Sequence, residues 1–249
     1  MLRAITFDFW GTLVDAGDSL KPVRVASLCR YLRGYSPDQI SAAYDSSWRK
    51  FLEALALGLG LRASTVLSTM LDLLDTSLSP QDYGAVLRYW EEAMLDDPPR
   101  FLDGAADVLH NMRARGLSVG LISDTGVTPG YVVREMLRRQ GLLTAFDWLT
   151  FSNEIGVTKR CRQAFVYTLR GLHVSPDEAM HVGDFPPADV QGAHAAGMAA
   201  ALVLESTGRR EGIPEADLVV ERLRDLTEAL AEWERARGEG ARRVSLKSE

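Results

Sequence analysis

The chain opens on an apolar run, LRAITF over 2–7, that stops at Asp8 and turns at Gly11. A short apolar run bounded by turn residues reads as a buried strand. From Lys21 to Leu95 apolar positions recur at helical spacing in four segments, near 21–33, 37–57, 63–75 and 80–95. Ser36-Pro37 and Ser79-Pro80 have the form of helix starts, with proline in the first turn. Asp97-Pro98-Pro99 closes the block. Beyond it helix and strand patterns alternate: helix 103–115, strand 117–123, helix 128–140, strand 147–152, helix 161–172, strand 179–183, helix 188–196, strands 200–204 and 218–220, and a last helix over 222–237. Apolar strands alternating with helices mark a parallel sheet covered on both faces. The expectation is an α/β core from residues 1–16 and 98–249 with an all-helical unit, 17–97, inserted into it. Residues 238–249 read as a frayed tail.

Composition narrows the function classes. At 46% hydrophobic and 25% charged, the 249 residues are those of a globular protein and exclude a disordered, collagenous or coiled-coil chain. A net charge of −6 argues against nucleic acid or an anionic membrane as partner. No apolar run approaches a membrane span, and the first residues lack the architecture of a signal peptide, so a soluble cytoplasmic protein is expected. Cys29 and Cys161 match no metal-ligand spacing and read as two free thiols, with one long-range disulfide as the alternative. Only four lysines occur, and Lys159 stands at a helix start, where the helix dipole disfavours a positive charge.

In a parallel α/β sheet, ligands bind at the carboxyl ends of the strands. Four polar groups follow predicted strands: Asp8, Ser123-Asp124, the stretch Ser152 to Lys159, and Gly183-Asp184 with Asp189 beyond it. Each alone has a plain reading, as a helix cap, a turn or a solvated side chain. Four together, each behind its own strand, are much harder to produce by accident. His110, His173, His181 and His194 show no ligand spacing, and His181 reads as structural. Tyr44, Trp48, Phe51 and Leu55 share one helical face and read as packing, with substrate lining as the lesser alternative.

FDFWGTLVD resembles the first motif of the haloacid dehalogenase (HAD) superfamily, LISDTG its second, SNEIGVTKRCRQAF its third and HVGDFPPADVQGAHAAGM its fourth. The resemblance covers the whole core, which it makes Rossmann-like, and the helical insertion resembles the superfamily's C1-type cap. It implies that Asp8 is the nucleophile and forms a covalent intermediate. It implies that Gly11, Thr12, Ser123, Asp124 and Lys159 surround the transferred group, with Lys159 also holding Asp8 ionised. It implies Mg²⁺ held by Asp8, Asp184 and the Trp10 backbone carbonyl, with Asp189 behind them.

Trp10 departs from the pattern. Phosphatases of the superfamily carry a general acid/base Asp two residues after the nucleophile, and tryptophan cannot shuttle a proton. The dehalogenase branch also lacks that Asp, but it uses a cap arginine near 43–45, where this chain has Ala43-Tyr44-Asp45 with Arg49 one turn on. That branch also lacks the Gly-Asp metal site kept here in GDFPPAD. Asp124 stands where Asn, Thr or Gly is usual, and Lys159-Arg160 replaces Lys-Pro. The expected activity is Mg²⁺-dependent hydrolysis of a small phosphorylated metabolite. The alternatives are a 2-haloacid dehalogenase-like enzyme and a degenerate member that only binds a ligand or partner.

Overall fold

The structure is a computed structural model describing residues 2–15 and 20–245. The expected boundary between core and insertion at 16–17, and the last four residues of the expected tail, lie outside them. Six parallel strands, β1 (Ala4–Phe7), β2 (Ser118–Ser123), β3 (Trp148–Phe151), β4 (Ala179–Gly183), β5 (Ala199–Val203) and β6 (Leu218–Val220), form one sheet in the order β3-β2-β1-β4-β5-β6. The chain steps outward from β1 to β2 and β3, then crosses back to β4 on the other side. The carboxyl end of β1 is therefore the switch point, where crossovers diverge and leave a crevice. Phe7 is level with Leu121 on one side and Val182 on the other, so residues just past these positions converge.

Alternation along the buried strands divides the core. Ile5, Phe7, Val119, Leu121, Met180 and Val182 pack on one face, while Ala4, Ile122, Ala179 and Ala200 pack on the other. Helices cover both: α5 (Ala105–Ala114), α6 (Gly130–Arg139), α8 (Arg162–Leu172), α9 (Val190–Ala196) and α10 (Leu226–Ser245). The last helix runs past residue 237, where a tail was expected. Its glycines at 238 and 240 cost helix propensity without breaking the backbone ladder as proline would. A one-turn helix, α7 (Ser152–Ile155), follows β3 and ends at Gly156 with φ 79°.

Between β1 and β2 lies the helical insert, α1 (Lys21–Cys29), α2 (Pro37–Ala56), α3 (Ala63–Leu73) and α4 (Pro80–Glu92). Ser36 and Ser79 cap α2 and α4 by accepting from the amides of Gln39 and Asp82, with Pro37 and Pro80 opening the helices. The insert has its own apolar centre of Leu28, Ile40, Phe51, Leu67, Met70 and Trp90, which also takes in Val127 from the core. Entry and exit run side by side: the Asp15 amide donates to the Arg100 carbonyl at 2.9 Å, and the Leu102 amide to the Leu13 carbonyl at 2.9 Å. A second junction joins the loop after α2 to the residues before Lys159. There the Gly60 amide donates to Gly156 at 2.9 Å, the Thr158 amide to Gly58 at 3.0 Å, and the Thr158 hydroxyl to Leu55 at 3.2 Å. Gly60 has no substitute here, because a Cβ would lie 2.0 Å from the Ser152 carbonyl oxygen. Both cysteines are free. Among the described residues no helix is long and apolar enough to cross a membrane.

Candidate active site

Asp8 is the first residue past β1, and its amide still donates to the Val182 carbonyl at 2.9 Å. The sheet thus delivers a carboxylate, only 5% exposed, at the switch point. Lys159 Nζ lies 2.6 Å from Asp8 Oδ1 and 2.6 Å from Asp189 Oδ1. Asp189 is the hub of the arrangement. Its Oδ1 also meets His181 Nε2 at 3.0 Å, and its Oδ2 accepts from the amides of Asp184 and Phe185 at 3.1 and 2.8 Å. His181 Nδ1 in turn bonds Thr6 Oγ1 at 2.8 Å. Strand alternation explains His181: Met180 and Val182 face one core and His181 the other, edge-on to Phe165.

Two glycines make the approach possible. A Cβ on Gly183 would sit 2.1 Å from Asp189 Cγ, so only glycine lets that carboxylate reach across β4. Gly11, at φ 76°, turns the loop after Asp8, and a Cβ there would meet all three Asp184 carboxylate atoms at 2.7–2.9 Å. The Thr12 hydroxyl points at Asp184 Oδ1 from 3.4 Å, a long contact. The Trp10 carbonyl accepts no hydrogen bond among the described residues, while its ring packs edge-on against Phe9 with centroids 4.9 Å apart.

Across the crevice the Ser123 hydroxyl ends β2, buried and without a hydrogen-bond partner among the described residues. A buried polar atom left open in this way is a position prepared for a ligand atom or water. Asp124 instead turns both carboxylate oxygens onto the Lys159 amide, at 2.9 and 3.2 Å. At the rim, the Arg209 and Arg160 guanidiniums both lie over the Phe185 ring, 4.3 and 5.3 Å from its centroid. Arg209 is also 3.8 Å from Asp184 Oδ2.

Crowding of charge shifts these groups. Burial raises the Asp8 carboxyl well above its ordinary value; Lys159 opposes the rise, and Asp189 and Asp184 add to it. Asp184 is raised by burial and by Asp189, against Lys159, a nearby Thr207 hydroxyl that closes no well-formed hydrogen bond, and Arg209. Burial alone would raise Asp189, but Lys159 and His181 hold it well below the carboxylate range. Burial alone would lower Lys159, but Asp189 and Asp8 keep it firmly charged. His181 is pushed down by burial and stays neutral near pH 7. Asp124 is pushed up to about 6 by burial, against the pull of Lys159.

Asp8, Asp184 and Asp189 offer carboxylate oxygens within 4.8 Å of one another, a buried group able to hold a metal ion. Asp189 has its oxygens engaged by Lys159, His181 and two amides, which leaves Asp8 and Asp184 facing each other. Three buried carboxylates face one buried ammonium, with the Arg209 guanidinium 3.8 Å from Asp184 at the rim. An all-oxygen donor set of that charge suits a hard divalent cation.

The haloacid dehalogenase-like hydrolase family model matches residues 2–197, from before Asp8 to past Asp189. The chain belongs to the haloacid dehalogenase-like hydrolases. A phosphoserine phosphatase of Thermus thermophilus is 40% identical over 126 residues, so the chain spans about half the length of that relative and 49% of its own. A HAD phosphatase from Thermococcus onnurineus superposes with a TM-score of 0.67 at 24% identity, over 92% of this chain and 98% of the other. A 2-haloacid dehalogenase from Pseudomonas syringae pv. Tomato DC3000 superposes with 0.68 at 19% identity, over 94% and 100%. Enzymes of both chemistries thus share this hydrolase's fold, so the reaction has to be argued from the site.

Of the residues picked out in the sequence, Asp8, Lys159, Asp184 and Asp189 meet directly, Gly11 abuts Asp184, and Ser123 ends the neighbouring strand β2, with two qualifications. Asp124 binds backbone, and Thr12 makes only a long contact. Arg49 is exposed on α2. His181, read as merely structural, is bonded to the hub of the site; its signal is a histidine on the strand leading into Gly183-Asp184.

Proposed function

We propose that this hydrolase cleaves small phosphate monoesters through a phospho-Asp8 intermediate and needs Mg²⁺ to do so. The observation that carries the reading is the pairing of Asp8 with a second, ligand-type carboxylate, Asp184, beside the open Ser123 hydroxyl. A reaction that expels halide has no use for the second carboxylate. A phosphoryl group, whose charge is spread over three oxygens, needs cationic and donor groups around it. Mg²⁺, held by Asp8, Asp184 and the Trp10 carbonyl, would neutralise charge on the phosphoryl oxygens when bound.

Lys159 holds Asp8 through Oδ1 and leaves Oδ2 to attack phosphorus. The new Oδ2–P bond forms as the ester P–O bond breaks, and the leaving alkoxide must take its proton from water because Trp10 has none to give. The Ser123 hydroxyl and Lys159 hold phosphoryl oxygens through the transfer. Water then attacks phosphorus and releases Asp8 with inorganic phosphate. Asp189, kept ionised by Lys159 and His181, fixes the ammonium and positions Asp184 through its amide. Asp124 positions Lys159 from the backbone side. Arg160 and Arg209 at the rim favour entry of an anion into an otherwise acidic molecule. The helical insert acts as the cap over this site.

Trp10 itself favours a second reading, a dehalogenase in which Asp8 attacks carbon and a halide leaves unprotonated. The test follows phosphate and chloride release in parallel from a panel of phosphate monoesters and 2-chloropropionate, with MgCl₂ and with EDTA. Phosphate release that EDTA abolishes is expected. Chloride release indifferent to EDTA overturns the phosphatase reading.

A further inference from the structure

Behind Asp189 lie two fully buried polar side chains, Thr6 on β1 and His181 on β4, level neighbours across the sheet. His181 Nδ1 meets Thr6 Oγ1 at 2.8 Å, and His181 Nε2 meets Asp189 Oδ1 at 3.0 Å. Neither the ring nor the hydroxyl has another hydrogen-bond partner among the described residues. Phe165 on α8 stands edge-on to the imidazole, with centroids 5.0 Å apart. Level with Thr6 on its other side is Gly120, where a Cβ would come 3.0 Å from the threonine methyl group. Packing from both sides thus leaves the pair little freedom to turn.

The partners of Asp189 dictate where the protons are. Its Oδ2 accepts from two amides, and its Oδ1 faces the Lys159 ammonium at 2.6 Å as well as His181. A carboxylate among four donors is ionised and has no proton to give, so His181 Nε2 must carry the hydrogen. In a neutral imidazole Nδ1 is then an acceptor, and the Thr6 hydroxyl must donate to it. Donation runs one way, from Thr6 to His181 to Asp189. Lys159 in turn divides its N–H groups between Asp189 and Asp8, 2.6 Å from each. An Asp189 free to turn would release the ammonium onto Asp8, where it would mask the attacking carboxylate.

We infer that Thr6 and His181 are positioning residues: by holding Asp189 Oδ1 in place they keep the Lys159 ammonium shared between two carboxylates. They act through Asp189 and Lys159 and not on the substrate. The inference rests on the reading of Asp8 as the nucleophile of a phosphatase and adds to it the two side chains that set its partner.

Two measurements test it. Ring-nitrogen NMR of protein carrying isotope-labelled histidine reads the tautomer without any turnover, and His181→Gln identifies the His181 signals. The Nε2-protonated form is expected near pH 7; an Nδ1-protonated ring or an imidazolium overturns the proposal. Steady-state phosphate release is then compared among variants that circular dichroism shows to be folded. Thr6→Val, which keeps the shape and deletes the donor, should lower kcat several-fold, and Thr6→Ser should restore it. His181→Leu should lower kcat about 10- to 100-fold, the scale of a reacting group misplaced by about 1 Å. His181→Gln, which keeps a donor near the Nε2 position, should recover much of that loss. If His181→Leu fails to fold, the Thr6 pair and the ring spectrum decide. A lower melting temperature with kcat unchanged, or no rescue by Thr6→Ser, overturns the positioning role. Absence of phosphate release from the unaltered protein instead fails the phosphatase reading, on which the ring spectrum does not depend, so the two failures are distinguishable.

Discussion

The crevice at the end of the sheet and the insert above it handle buried polarity in opposite ways. In the crevice the charged groups answer one another: Lys159 between Asp8 and Asp189, His181 between Asp189 and Thr6, two amides on Asp189 and one on Asp124. In the insert the packing is aromatic, with Tyr44, Trp48 and Phe51 in a row, and the buried Arg24 guanidinium donates to the Tyr44 hydroxyl at 3.3 Å. A network closed on itself is set before any substrate arrives, which is what an electrostatic site requires. Under the proposed function the chemistry belongs to the first region and contacts with the rest of the substrate to the second.

The largest effect should come from the closed network. Asp8→Asn is expected to lower phosphate release by at least about 10³-fold in kcat, because the bond-forming atom is lost. Trp48→Ala should act mainly on KM. A Trp48→Ala loss in kcat as deep as that of Asp8→Asn, read in steady-state assays, would break the division between regions. Next comes Trp10→Asp. Supplying a carboxyl where a proton is missing should raise turnover of alkyl phosphates by about 10- to 10³-fold, and much less that of aryl phosphates, whose leaving groups need no proton. Equal rates on the two classes in the unaltered protein would show that another group already carries the proton.

Gly183→Ala tests the closeness of the network. A Cβ 2.1 Å from Asp189 Cγ must displace the hub, and a loss of about 1–3 kcal/mol in urea unfolding is expected, with activity falling further than stability. Gly34→Ala, on the insert with nothing within 4 Å, is the matched control. The smallest effect concerns Asp124. Burial raises its folded pKa to about 6, above the ordinary 3.8, so ionisation costs more in the folded chain. Its contribution is full below about pH 4 and is lost as pH rises through about 6. Asp124→Asn should therefore match the parent near pH 4 and exceed it by about 1–2 kcal/mol at pH 7. A difference that does not vary with pH would show that Asp124 is not held at that value.

The core was legible in the sequence because its signals are local. An apolar strand ending at an acid, and glycines at the turns, appear along a few residues. Hence the sequence alone places Asp8, Ser123 and Asp184 behind their strands. Strand order was not legible, since alternation of strand and helix is compatible with several crossovers. Asp124 stood in the expected motif, yet its partner, the Lys159 amide, is 35 residues away and leaves no local trace. His181 was undervalued because its two partners, Thr6 and Asp189, lie on other elements. Arg24 gave no signal at all: an arginine on an amphipathic helix reads as solvated until its neighbours cover it. The one-turn α7 is too short to show a period.

The backbone bonds between Gly58 or Gly60 and the stretch Gly156–Thr158 end one residue before the ammonium that grips the nucleophile. Any swing of α1–α4 away from the sheet has to sever them or drag that stretch along. A substitution that breaks these bonds is therefore expected to disturb the seat of Lys159 together with the seat of the insert.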